Sequence, residues 1–140
     1  MKTRKSVLIN LLIATAFLSL IVLAACDDTL TGSEIDSRII PSQNVDYYED
    51  IQPVFNIKCA TVMCHDNQTM AGGLSLTSYD NTTADVLIVF PYQPESSKLV
   101  WAIEGQTGAS PMPPAGYAPL TQNQIKGIKT WIAEGAKVKP

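Results

Sequence analysis

Apolar residues are concentrated at the start of the chain, where a nearly unbroken apolar run extends from Val7 to Leu23 behind Lys2, Arg4 and Lys5. Positive charge followed by such a run is the pattern of an export signal. The run is also long enough to span a bilayer, so an uncleaved membrane anchor is the alternative interpretation. The pattern predicts that the rest of the chain works outside the cytoplasm.

Two later segments have the apolar spacing and end signals of helices. The clearer one begins at Thr121, which forms a capping box with Gln124, and it carries an apolar stripe that stops before Gly135. The other extends from Ser96 to Glu104, with Ser96 or Ser97 as its cap and a glycine directly after it. Both segments therefore predict helices with one buried face.

A further helix is predicted to lead into Cys59. Asp46 and Glu49 have the spacing of a helix N-terminus, and apolar residues follow at helical intervals. Pro53 interrupts this pattern because a proline beyond the first turn removes a backbone hydrogen bond. We expect the helix either to kink at Pro53 or to start later than Asp46.

Gly127 lies inside the last predicted helix, where it costs about 1 kcal/mol relative to alanine. It predicts the close approach of another backbone, although a tolerated defect is the alternative. Two long loops, residues 70–85 and 105–119, separate the helices. Loops of this length are uncommon in so small a domain unless something fills the space they enclose, which suggests a cofactor.

Residues 23–26, with the sequence LAAC, resemble a bacterial lipobox, in which the cysteine is acylated and becomes the first residue after cleavage. The chain is therefore expected to carry a lipoprotein signal peptide over residues 1–25 and a lipid anchor on Cys26. Residues 26–44 contain few large apolar side chains and predict a flexible tether. The folded domain is expected to span residues 45–140.

Removal of the signal peptide leaves an acidic protein. All 13 acidic residues follow Ala25, whereas three of the 10 basic residues precede it, so the mature net charge is −6. A nucleic-acid-binding protein needs a basic patch that neutralises phosphates, and this chain offers none. The composition therefore excludes nucleic acid as an expected partner.

The stretch CATVMCHD, residues 59–66, holds two of the three cysteines and the only histidine. CxxC followed by His is typical of c-type haem attachment, and here the spacing is expanded to CxxxxCH. We expect the intervening residues to bulge outward. Three alternatives stay open: a Cys59–Cys64 disulfide, a zinc site with only three ligands, and a thiol redox pair with the wrong spacing.

The remaining methionines and the single histidine limit the ligands of such a haem. A second histidine ligand is impossible, so the sixth position would take Met, Lys, a terminal group, water or nothing. Met63 and Met70 lie too close to His65 in sequence to reach around the ring easily. Met112 remains, held between prolines that stiffen its loop. A surface proline turn without a function is the alternative.

The segments DIQPVFNIKC, CHD, GGLSL, PESSKL, SPMPP and LTQNQIKGIKTWIAEGA occur in an order that resembles small monohaem c-type cytochrome domains, especially the subgroup with an expanded CxxxxCH motif. The resemblance covers about Tyr47 to Ala136. It implies an all-α, loop-rich cytochrome c-like fold of three or more helices around one haem c. Cys59 and Cys64 would form the thioethers, His65 would bind the iron, and Met112 would bind it from the other side.

The resemblance also implies that the first and last helices cross near Phe55 and Trp131, with Gly127 at their contact. No proline follows His65 closely, so the acceptor for its second ring N–H is expected among Gly72, Gly73 and Leu74.

The sequence thus predicts an exported bacterial lipoprotein on the periplasmic side of the inner membrane or in the outer membrane. It would carry single electrons between redox partner proteins rather than act as an enzyme, and lipid would attach it to the membrane. Two alternatives remain: an open-site haem protein that acts as a peroxidase or gas sensor, and a haem-free binding module with a disulfide.

Overall fold

The computed structural model describes residues 30–140; the expected signal peptide, Cys26 and the beginning of the expected tether lie outside the described residues. Over residues 30–140 the chain forms five α-helices and no β-strand, which confirms the all-α, loop-rich fold. None of these helices is both long and apolar enough to cross a bilayer. The helices are α1 (Gly32–Ser37), α2 (Gln52–Lys58), α3 (Tyr79–Thr82), α4 (Lys98–Glu104) and α5 (Gln122–Ala133).

Pro53 lies at the second position of α2, where its missing N–H would have no helical partner in any case. The residues before it form a separate π-helical turn, Tyr47–Ile51, whose N-cap is Asp46. The Asp46 carboxylate accepts hydrogen bonds from the backbone of Tyr48 and Glu49, as the capping pattern predicts. The late start of α2 is therefore the outcome that the proline requires.

Tyr47 is the centre of the core. Its ring is fully buried and lies 5.2 Å from the ring of Trp131 and 6.4 Å from that of Phe55, measured between centroids. The expected direct crossing at Phe55 and Trp131 is therefore replaced by a contact through Tyr47. The Tyr47 hydroxyl lies 2.8 Å from the hydroxyl of Thr82 on α3, and burial raises the pKa of Tyr47 to about 12. The neutral Tyr47 phenol thus joins the π-helical turn to α3.

The N-terminal strap, residues 31–45, differs from the flexible tether expected for residues 26–44. Thr31 and Glu34 form a capping box that starts α1. Ile35 and Ile40 are buried in the same core as Tyr47 and Trp131. Three apolar residues, Ile35, Ile40 and Val45, are sufficient to dock this segment because each of them enters the core, whereas Ile39 is 78% exposed.

Polar side chains of α5 fix the backbone of the strap. Asn123 both accepts from the Ile40 N–H at 2.8 Å and donates to the Ile40 carbonyl at 3.2 Å. Gln124, which also forms the predicted capping box with Thr121, donates to the carbonyl of Ile35 at 3.1 Å. The folded part of the chain therefore includes residues from Thr31 onward rather than beginning at residue 45.

Another group does approach Gly127 closely, but that group does not belong to α2. A Cβ atom at Gly127 would lie 2.5 Å from the nearest side-chain atom of Ile40. The expected contact with another backbone is thus a contact with a side chain of the strap. The absence of a side chain at Gly127 lets Ile40 pack directly on the helix.

The predicted helix around residues 96–104 is α4, and Gly105 ends it in a left-handed conformation with φ of 64°. Ser97 occupies the N-cap, but its hydroxyl donates to the Gln93 carbonyl and accepts from the Phe90 N–H instead of capping the helix. Leu99 and Ile103 are buried on one face. This face is the one that reaches the candidate site.

We predict that Gly127→Ala destabilises the domain by about 1–3 kcal/mol, because the added methyl group overlaps Ile40 and overpacks the contact. In an exposed helix the same change would stabilise by about 1 kcal/mol. The measurement is the denaturant midpoint of the mature protein, with Lys126→Ala on the exposed face of α5 as a control near neutrality. Adding Ile40→Ala should make the double variant more stable than the sum of both changes. A higher midpoint for Gly127→Ala would contradict the strap contact.

Candidate functional site

Residues 59–65 form a closed loop at the end of α2. The His65 N–H donates to the carbonyl of Cys59 at 3.1 Å, which brings both ends of the motif together. Ala60 packs against the core, but Thr61, Val62 and Met63 are exposed, Val62 by 83% and Met63 by 79%. The two residues by which this motif exceeds CxxCH are therefore accommodated as an outward bulge, as the sequence predicts.

Cys59 and Cys64 both carry free thiols. The disulfide that the sequence left open is therefore not formed. Burial, with a smaller contribution from nearby Cys64, raises the pKa of the Cys59 thiol to about 12. A thiol that stays protonated at neutral pH is a poor redox nucleophile, which argues against a thiol–disulfide exchange site.

His65 is oriented by the segment that follows the first long loop. Its Nδ1 atom lies 3.1 Å from the carbonyl oxygen of Leu74. A carbonyl can only accept, so Nδ1 carries the proton and Nε2 keeps a free lone pair, which is the tautomer that binds a metal. Leu74 was one of the three expected acceptors, and Gly72 and Gly73 supply the left-handed turn that brings its carbonyl back to the ring.

Segment 74–77 contacts His65 a second time through the main chain. The Leu76 N–H donates to the His65 carbonyl at 2.9 Å. On the other edge of the segment, Asn67 accepts hydrogen bonds from Ser75 and Thr77 at 2.8 and 2.6 Å. The alternating sequence Leu-Ser-Leu-Thr thus places apolar side chains towards the interior and hydroxyls towards Asn67.

A cavity of about 340 Å³ opens beside His65, within the range of small-molecule and cofactor sites. Both long loops contribute to its walls, as their length predicts. Apart from His65, Lys98 and Ser110, the lining is made of apolar residues, glycines and the thiol of Cys59. Its main apolar side chains are Leu74, Leu76, Ile88, Leu99, Trp101 and Ile103.

Met112 lines the same cavity as His65 and Cys59. Its N–H donates to the carbonyl of Ala102 in α4 at 2.9 Å, which attaches the proline-rich loop to that helix. A second, smaller cavity of about 110 Å³ is also lined by both Met112 and His65, and Cys64 borders it as well. The structure thus brings all four sequence-predicted residues of the domain to one place.

These residues fit a covalently attached haem. An apolar slot excludes water from a flat aromatic ring, Cys59 borders this slot while Cys64 borders the smaller cavity, and the free Nε2 of His65 is available for iron. Over residues 30–140 no group of three or more His, Cys, Asp or Glu side chains is assembled to hold a metal ion. The three-ligand zinc site considered from the sequence is therefore not formed there.

Comparison with protein families gives one match, to the family described as Planctomycete cytochrome C, over residues 62–116. The matched range contains Cys64, His65 and Met112 but not Cys59. It supports a cytochrome c-like domain. No curated protein and no solved structure matches the chain.

A cytochrome c-like domain implies a covalently bound haem c and a function in electron transfer. Domains of this kind are generally electron carriers rather than enzymes. The wall of the cavity also contains residues outside the haem-attachment motif, such as Leu99 and Trp101 of α4. The sequence alone does not assign these residues to the site. Their position depends on how α4 packs, and no local signal in the sequence specifies that.

Proposed function

We propose that this chain is a membrane-tethered c-type cytochrome that carries single electrons outside the cytoplasmic membrane. The observation that carries the proposal is that His65 and Met112 line one apolar cavity bordered by Cys59. Among the residues that line this cavity, His65 is the only imidazole and Met112 is the only thioether. Together they form the ligand pair of an electron-carrying haem.

Cys59 and Cys64 would hold the haem through thioethers, and His65 would donate Nε2 to the iron. Bound haem supplies an iron that alternates between the ferrous and ferric states. The Leu74 carbonyl fixes the imidazole by accepting a hydrogen bond from its Nδ1–H, which orients Nε2 towards the cavity and strengthens it as an electron donor. Met112 would complete the coordination, so that no position stays open for a substrate.

Ligation by His65 and Met112 favours electron transfer over catalysis. A thioether ligand raises the reduction potential relative to a second imidazole. The apolar lining of the cavity also excludes water from the iron, which disfavours the more highly charged ferric state. The site therefore fits a carrier of relatively high potential that accepts and releases one electron without binding a substrate.

The membrane attachment in this proposal depends on Cys26. The docked strap begins at Thr31, only five residues after Cys26. A fully extended chain of that length reaches about 18 Å, compared with about 65 Å for a free tether extending to residue 45. A lipid on Cys26 would therefore keep the domain close to the bilayer surface.

The acidic mature chain would exchange electrons with redox proteins rather than bind nucleic acid. Its net charge of −6 favours partners with a complementary basic surface. Such a protein would work on the periplasmic side of the inner membrane or in the outer membrane.

We predict that haem remains attached to the polypeptide after denaturation and extraction with acidified acetone, because thioether bonds survive this treatment. The protein must be made in a host with haem-ligating machinery, and haem absorbance is measured on the extracted chain. Cys59→Ala should retain haem through Cys64 alone, in a less stable product. Complete loss of haem from the wild-type chain would exclude a c-type cytochrome.

We predict that Met112→Ala opens the sixth coordination position. The wild-type protein should show the near-infrared band of sulfur bound to ferric iron and should bind carbon monoxide slowly when reduced. The variant should lose the band, bind carbon monoxide rapidly and have a lower reduction potential, because a ligand that favours ferrous iron is missing. Absorption spectroscopy and potentiometry measure all three.

Met63→Ala is the matched control, since Met63 is exposed and lies in the attachment loop. It should leave the band and the potential unchanged. Equally rapid carbon monoxide binding by the wild type and Met112→Ala would instead support the open-site haem protein, either a peroxidase or a gas sensor.

We predict that the mature protein begins at an acylated Cys26. Mass spectrometry of the N-terminal peptide should show the lipid mass on this residue and no residue before it. Cys26→Ser should abolish acylation, while the uncleaved apolar leader can still hold the variant on the membrane. An unmodified Cys26 in the wild-type protein would refute the lipid anchor.

A further inference from the structure

Gln52 is a buried amide in an otherwise apolar part of α2. It is 7% exposed, and its neighbours Ile51, Val54 and Phe55 are all buried in the core. Burial of an amide is unfavourable unless hydrogen bonds replace those lost to water. A leucine or methionine would pack at this position without that cost, so the amide must serve a specific partner.

That partner is segment 74–77. The Gln52 side chain donates from Nε2 to the Leu76 carbonyl at 3.0 Å and to Oδ1 of Asn56, one turn later, at 2.7 Å. Its Oε1 atom is buried and has no hydrogen-bond partner in the described part of the chain. The reverse orientation of the amide would place Oε1 against the Leu76 carbonyl, two acceptors without a proton between them. The amide is therefore held in place as a donor.

Leu76 connects this amide to His65. Its N–H donates to the His65 carbonyl, and the carbonyl two residues earlier, on Leu74, accepts from the His65 ring. Segment 74–77 thus contacts both the backbone and the imidazole of the same residue. Gln52 is the side chain by which α2 holds that segment from the interior.

We propose that Gln52 is a positioning residue for the iron ligand His65, acting through segment 74–77. The inference rests on the proposed haem function, because it assigns a role to the ring that binds iron. Without the donor, the buried Leu76 carbonyl would lack a partner and the segment would open more readily. The Nδ1–H of His65 would then lose its acceptor for part of the time, and the imidazole would become a weaker electron donor.

The test is Gln52→Met, which keeps the approximate length of the side chain and removes the donor. In the reduced holoprotein, NMR should show hydrogen exchange of the His65 Nδ1–H accelerated on the order of five- to hundredfold. The reduction potential should shift upward, because a weaker imidazole donor stabilises ferric iron less. The wild type offers a second measurement: the Leu76 amide and the His65 ring N–H should have similar opening equilibria, since one segment protects both.

Asn56→Ala is the control, because it removes the exposed acceptor of the same amide and leaves the Leu76 contact in place. It should change neither ring exchange nor potential. If Gln52→Met lowers only the unfolding midpoint, or if the wild-type Leu76 amide and His65 ring open independently, the positioning role is wrong. Absence of covalent haem from the wild type would instead overturn the proposed function. An absorption spectrum of the denatured wild-type protein, recorded first, distinguishes that result from a failure of the positioning role.

Discussion

The hydrogen bond between the His65 ring and the Leu74 carbonyl is the contact on which the candidate site depends. It selects the tautomer whose Nε2 can bind iron, and it exists only because two left-handed glycines turn the chain back. The position of this glycine turn also depends on Leu76, whose carbonyl accepts a hydrogen bond from Gln52 on α2. A local feature of one imidazole is thus supported by a side chain of α2, the helix that leads into the attachment loop.

The arrangement of the core around Tyr47 is related to the small size of the domain. A small domain that keeps a cavity beside its only histidine has little apolar material left for a conventional core. Here Tyr47 contacts Trp131, Phe55 and α3, and the N-terminal strap adds Ile35 and Ile40 to the same core. One face of α4 and both long loops line the cavity. Loops can follow the outline of a bound group more closely than helices can, which accounts for their length.

The sequence predicts those features that depend on neighbouring residues. The Thr121–Gln124 capping box, the Gly105 terminator and the outward bulge of residues 61–63 all follow from local geometry. The docking of the strap does not, because Ile40 gains its role only from the missing side chain at Gly127. The importance of Gln52 is hidden for a similar reason. A glutamine at the start of a helix is ordinary in sequence, and only its tertiary partner shows that it is buried as a donor.

Lys58 joins the strap to the site. Its side chain is 4% exposed, forms an ion pair with Asp36 of α1 at 2.8 Å, and lies 3.4 Å from the carbonyl of Pro119, beyond the Met112 loop. The Asp36 side chain is 38% exposed, so solvent screens this ion pair and it adds little net stability. Its hydrogen bond nevertheless holds the pKa of Asp36 below its usual value, so this contribution is present above the unfolded-state pKa and is lost as the pH falls through the folded-state pKa. Since Lys58 directly precedes Cys59, its two contacts connect the attachment loop with the strap and with the end of the loop that carries Met112.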